Sequence, residues 1–162
     1  MKKLGKIIEI VLNIIMTLII VAGISLGVLF LVGIKPYVVE SDSMKPKFAA
    51  GDICFINTKT DYEDIKEKDI IAFKIESGKY ITHRVIKITD EGFETQGDAN
   101  NVSDGVSTNK DNYIGKNVFS LPKAGVFIKA IQTTKGKIVA VAFIISLFIF
   151  GILFGKEEKK VK

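Results

Sequence analysis

One cysteine and one histidine are all that the 162 residues hold of the two side chains most used as metal ligands and nucleophiles. A single cysteine excludes an internal disulfide. One histidine and one cysteine would leave only carboxylates to complete a transition-metal shell, so no metal site and no cofactor are expected. Cys54 lies in Asp52-Ile53-Cys54-Phe55-Ile56, where it reads as a small hydrophobe in a buried strand. Nothing around it supports a cysteine nucleophile. Internal repeats and low-complexity tracts are also missing, which excludes repeat architectures. The net charge of +5 does not call for nucleic acid. Its lysines crowd the flanks of apolar segments, where they anchor and orient helices. The middle of the chain mixes both signs in short stretches, as a solvated surface does.

Long apolar runs are present at both ends. Residues 7–34 are nearly all apolar, broken by Glu9, Asn13, Thr17 and Ser25. That exceeds the ~20 residues a helix needs to cross ~30 Å of hydrocarbon. It is also too long for the 7–15-residue core of a cleaved signal peptide, and Ala22-Gly23-Ile24-Ser25 is a poor processing site in mid-run. A retained signal anchor is expected. Residues 138–154 form a second run, near the ~17-residue lower limit for a span. Lys2, Lys3 and Lys6 place the N-terminus in the cytoplasm. The resulting organisation is a cytoplasmic start (1–6), a first span (7–34), an extracytoplasmic domain (35–134), a second span (135–155) and a cytoplasmic tail (156–162). Lys129, Lys135 and Lys137 sit on the outer side of the second span and weaken its charge signal.

The polar middle reads as short strands between turn residues. Strands are expected at 53–56, 70–75, 80–88, 93–96 and 113–119. Glu76-Ser77-Gly78-Lys79 joins the second and third as a hairpin. Residues 100–112, rich in Asn, Ser, Asp, Gly and Thr, read as a loop. Residues 121–128 are apolar but broken by Pro122 and Gly125, a segment suited to docking on lipid. No helix-length amphipathic pattern interrupts this region. The domain is expected to be all-β, flanked by two transmembrane helices.

Three elements carry possible chemistry. Ser43 lies in Ser41-Asp42-Ser43-Met44-Lys45-Pro46, nine residues past the first apolar run. At 3.3–3.6 Å per residue it is within ~30 Å of the end of that run. Pro46 fixes one backbone angle and disfavours helix at Lys45, so the segment is a stiff turn. His83, in Thr82-His83-Arg84-Val85, alternates onto the face of Ile81 and Val85. Gly97-Asp98-Ala99-Asn100-Asn101-Val102-Ser103-Asp104 offers two aspartates from one loop. A serine needs a base to take its proton, and a histidine base needs an acceptor on its far nitrogen. Each element has a plainer explanation by itself: a membrane-exit linker, a satisfied core histidine and an Asx-rich turn.

Their order and combination resemble the signal peptidase I family. The resemblance is to the branch that pairs serine with histidine, as in endoplasmic-reticulum, archaeal and SipW-like members, rather than serine with lysine. The matching residues are Ser41-x-Ser43-Met44-x-Pro46, Gly51-Asp52-Ile53, His83-Arg84-Val85, and Gly97-Asp98-x-Asn100 with Asp104. They cover roughly residues 36–120, and the second span is similar to the SipW-like members.

The resemblance implies a signal-peptidase-like β catalytic domain and cleavage of exported preproteins after small residues. It implies Ser43 as nucleophile and His83 as general base, with Asp104 or Asp98 as the acid partner. Ser41 and Met44 are implied on the oxyanion and substrate side. The implied partners are preprotein signal peptides and the lipid bilayer, with no nucleic acid, and the implied location is the cell membrane. A self-cleaving repressor-type protease shares the β architecture, but here the upstream region is a membrane span and Ala49-Ala50-Gly51 follows Ser43. A non-catalytic membrane-tethered scaffold is the alternative from another class.

Overall fold

The computed structural model describes residues 2–154. The chain divides into two compact units, one spanning Leu29–Phe127 and the other the helical segments before and after it.

The helical unit begins with α1 (Lys2–Leu31). Its 22-residue stretch Ile10–Leu31 has a mean hydropathy of 2.8 and is long and apolar enough to cross a membrane. Side chains along it, such as Ile14, Leu18 and Ile24, are exposed. The helix ends earlier than the apolar run does, because Gly33 turns the chain at φ +91° and its N–H bonds the Phe30 carbonyl. Lys59 Nζ donates to the Leu31 carbonyl at 3.1 Å, satisfying one of the orphan acceptors of that last turn. Ile34, expected in the span, instead opens a strand. At the other end stand α2 (Ala124–Gln132) and α3 (Thr134–Phe154), a 21-residue helix over the second apolar run. The expected tail at 156–162 lies outside the described residues.

The Leu29–Phe127 unit is mainly antiparallel β. Its strands are β1 (Ile34–Val38), β2 (Ile53–Asn57), β3 (Ile70–Lys74), β4 (Tyr80–Thr89), β5 (Gly92–Gln96), β6 (Val106–Thr108) and β7 (Tyr113–Leu121). They form one seven-stranded sheet in the order β1-β2-β7-β3-β4-β5-β6. The five expected strands are all present within one or two residues of their bounds. The β3–β4 hairpin pairs Ile71 with His83 and Phe73 with Ile81. Two strands were not expected. β1 carries Pro36, which lacks an N–H and is tolerated because β1 is an edge strand. β6 lies inside the segment expected to be a loop, where three residues suffice to close the edge of β5. Nor was a helix expected near 121–128. β7 runs on to Leu121, and α2 follows once Asp52 Oδ1 accepts the Lys123 N–H at 2.8 Å.

Ile71, Phe73, Val85 and Phe93 form the main core with Ile65. A second cluster packs Met44 and Phe48 against Ile70. Full burial of side chains of this size contributes roughly 1.5–3 kcal/mol each relative to exposure. Met44 and Phe48 therefore pin the turn that carries Ser43 to the sheet.

Candidate active site

The turn bearing Ser43 is held from several sides. Asp42 Oδ1 accepts the Ala50 N–H at 3.0 Å, and its Oδ2 accepts from Lys45 Nζ at 2.7 Å. The Lys45 ammonium, and then the Ala50 N–H, hold the Asp42 carboxyl below its usual range. The Ser43 carbonyl accepts the Ala99 N–H at 2.8 Å, which ties the turn to the Gly97–Asp104 loop.

His83 projects from the middle of β4 and is buried, 6% exposed. Its Nε2 lies 3.0 Å from Ser43 Oγ, and its Nδ1 lies 2.5 Å from Asp104 Oδ2. An ionised carboxylate only accepts, so Nδ1 carries the proton and donates to Asp104. Nε2 is then left as an acceptor for the Ser43 hydroxyl. Ser41 Oγ stands 3.1 Å from Ser43 Oγ. With the Ser43 proton directed at His83, the Ser41 hydroxyl is the donor of that pair. The arrangement can draw a proton from serine, hold it on imidazole, and stabilise the resulting cation with a carboxylate.

The two aspartates of the loop separate. Asp104 faces His83. Asp98 forks with Arg84, accepting from Nε at 2.7 Å and from Nη2 at 2.6 Å. Arg84 Nη1 also donates to the Lys68 carbonyl at 2.7 Å. The Asp98 carboxylate raises the Arg84 pKa above its ordinary value against the opposing effect of burial. Side chains alternate along a strand, so His83 and Arg84 point to opposite sides of β4, each with its own aspartate.

Met44 is 1% exposed, and its side chain packs inward on Phe48 and Ile70, where it anchors the serine turn. Cys54 is likewise 1% exposed. Burial pushes its thiol pKa up, partly offset by a hydrogen bond with Thr82.

Gly97 has a steric reason. A Cβ there would stand 2.6 Å from the Ser43 carbonyl oxygen and 3.0 Å from His83 Nε2. Only glycine lets the loop pass this close to the Ser43–His83 pair. Sequence reasoning did not single out Thr95, whose hydroxyl donates to Asp104 Oδ2 at 2.7 Å. The signal was present in Phe93-Glu94-Thr95-Gln96. Alternation puts Thr95 on the inward side with Phe93, and a buried hydroxyl needs a partner.

β4 is longer than its neighbours. β5 pairs with it only from Arg84 onward, while β3 covers Tyr80–Arg84. Tyr80–Thr82 therefore have no strand on their second side among the described residues. The Tyr80 ring meets Tyr37 of β1 edge-on, with centroids 5.5 Å apart. An extended segment can add beside this open stretch, one to three residues from His83.

The family model described as signal peptidase, peptidase S26, matches residues 7–122. The chain is similar to signal peptidase I W of Bacillus subtilis (strain 168), 32% identical over 78 residues, which are 46% of this chain and 41% of that protein. It is also similar to the signal peptidase complex catalytic subunit SEC11C of Homo sapiens, 42% identical over 73 residues, or 41% of this chain and 38% of that protein. The subunit of the same name from Canis lupus familiaris matches to the same extent. The matches span about two fifths of the length of these relatives.

Proposed function

The chain belongs to the signal peptidase family, peptidase S26, and on that premise we propose that it is a membrane-bound serine endopeptidase that removes signal peptides from exported preproteins. The observation that carries this reading is the hydrogen-bonded line Ser43 Oγ–His83 Nε2–His83 Nδ1–Asp104 Oδ2, at 3.0 and 2.5 Å. A scaffold has no need of such a line.

The preprotein's apolar segment stays in the bilayer, and the extended residues beyond it add beside Tyr80–Thr82 by main-chain pairing. Small residues at the first and third positions before the cut, the A-x-A-like pattern, bring the scissile carbonyl to Ser43. Ser43 Oγ bonds the carbonyl carbon as its proton passes to His83 Nε2. The Ser43 backbone N–H and the Ser41 hydroxyl face the developing oxyanion. The C–N bond breaks, and the leaving amine takes the proton from His83. Water then attacks the acyl-enzyme, giving its proton to His83, and Ser43 recovers its own on release. Asp104 stabilises the imidazolium at both stages.

The apolar segments and the lysines beside the first of them support a two-span topology. α1 is the signal anchor, with Lys2, Lys3 and Lys6 inside. α3 is a second span that returns the chain to the cytoplasm, so the β unit stands at the outer face. Phe119, Leu121, Val126 and Phe127 are exposed shortly before α3, which suits contact with the lipid interface.

Purified chain in lipid vesicles, given a preprotein with an A-x-A site, should release the mature protein with its new N-terminus directly after the second alanine. Mass spectrometry of the products reads this. Cleavage elsewhere, or equal cleavage by Ser43→Ala, would contradict the assignment.

A further inference from the structure

We propose that Thr95, backed by Ser107, is a positioning residue that fixes Asp104 against His83, so that the Ser43–His83–Asp104 line extends through two hydroxyls into the β5–β6 pair. This rests on the peptidase reading above and adds two residues to its machinery.

Asp104 sits at the end of a loop rather than on a strand, with its side chain 26% exposed. A carboxylate so placed can rotate toward water, and His83 alone would have to hold it. Among the described residues its carboxylate has two side-chain partners, His83 at 2.5 Å and Thr95 at 2.7 Å, and both reach the same oxygen, Oδ2. The backbone is held by the same residue: the Asp104 N–H donates to the Thr95 carbonyl at 2.8 Å.

The direction of the hydroxyl bonds is forced. A carboxylate accepts only, so the single Thr95 proton goes to Asp104. The contact between Thr95 Oγ1 and Ser107 Oγ, 2.7 Å long, must then be donated by Ser107. Ser107 thus orients Thr95, Thr95 orients Asp104, and Asp104 fixes the tautomer of His83. Thr95 is 0% exposed and pairs across β4 with Val85, two residues from His83. Its methyl and backbone are therefore fixed by the core, and its hydroxyl is a rigid reference for the partly exposed Asp104 carboxylate. β6, the three-residue strand that brings Ser107 to this place, gains a role beyond closing an edge.

Two substitutions separate the hydroxyl from the packing. Thr95→Val keeps the shape and removes the donor, and Thr95→Ser keeps the donor and removes the methyl. Each is prepared as the full chain in lipid vesicles. Each is assayed for kcat and KM on an A-x-A preprotein, and for the rate of Ser43 acylation by a fluorophosphonate probe. A lost charge-assisted hydrogen bond leads us to expect kcat and acylation rate to fall about tenfold in Thr95→Val, with KM within about twofold. Thr95→Ser should stay within about twofold of the parent on both readouts, and Ser107→Ala should lose about threefold. Parent-like kcat and acylation in Thr95→Val would overturn the proposal. So would equal losses in Thr95→Val and Thr95→Ser, which would make the methyl the important group. The probe acts on Ser43 without a peptide. If preprotein is not cut while the probe still labels Ser43, the peptidase reading fails, and the effect of Thr95 is still decided by the acylation rates.

Discussion

Asp104 accepts from His83 Nδ1, whereas Asp98, six residues earlier, forks with Arg84. The sequence left both open as partner to His83, because a loop of Asx and Ser residues does not reveal which carboxylate its path turns inward. The strand offered a better clue than the loop. Adjacent positions of β4 face opposite ways, so His83 and Arg84 each require a separate acceptor. Asp104→Ala should lower kcat about 10⁴-fold, the order seen when a triad loses its tautomer-setting acid. Asp98→Ala should leave kcat within about tenfold and instead lower the thermal midpoint, because it strands a half-buried guanidinium. Cleavage kinetics and thermal unfolding on both variants check the pair. Met44, the neighbour of Ser43, is a long apolar side chain beside a constrained turn, and its packing on Phe48 and Ile70 anchors that turn.

At the scale of elements, strand periodicity made β2, β3, β4, β5 and β7 legible, since each combines β-branched or aromatic residues with turn signals at its ends. β1 was hidden because Ile34 and its neighbours continue the apolar run of the helix, and only Gly33 marks the break. β6 was hidden because three residues in a polar segment carry no period. These two strands are the edges of the sheet, formed by tertiary pairing rather than local preference. In the proposed reaction β4 matters most, because its first residues extend past β5 and leave main-chain groups open. Substrate peptides N-methylated at single positions before the cleavage site should show this. Methylation at an alternate set of positions should raise KM about tenfold or more by removing ladder hydrogen bonds, and methylation between them should matter little. A flat response across positions in steady-state kinetics would mean that substrate does not add as a strand.

For the molecule as a whole, the apolar ends and the β unit have separate tasks. In the proposed reading the helices anchor the chain in the membrane, and the β unit assembles Ser43, His83 and Asp104 from three distant stretches of sequence. In the same reading, the twelve residues from the end of α1 at Leu31 to Ser43 keep the nucleophile close in sequence to the membrane anchor. Composition and hydropathy revealed the helices; the site became legible only through the combination of its boxes, since none of the three means much alone. The most direct test is the cleavage rate of an A-x-A preprotein by the full chain in lipid vesicles, compared among the parent, Ser43→Ala, His83→Ala and the double variant. The residues act as a unit, so each single variant should lose at least about 10⁴-fold and the double should lose no more. Cleavage by either single variant at a rate near that of the parent would contradict the account.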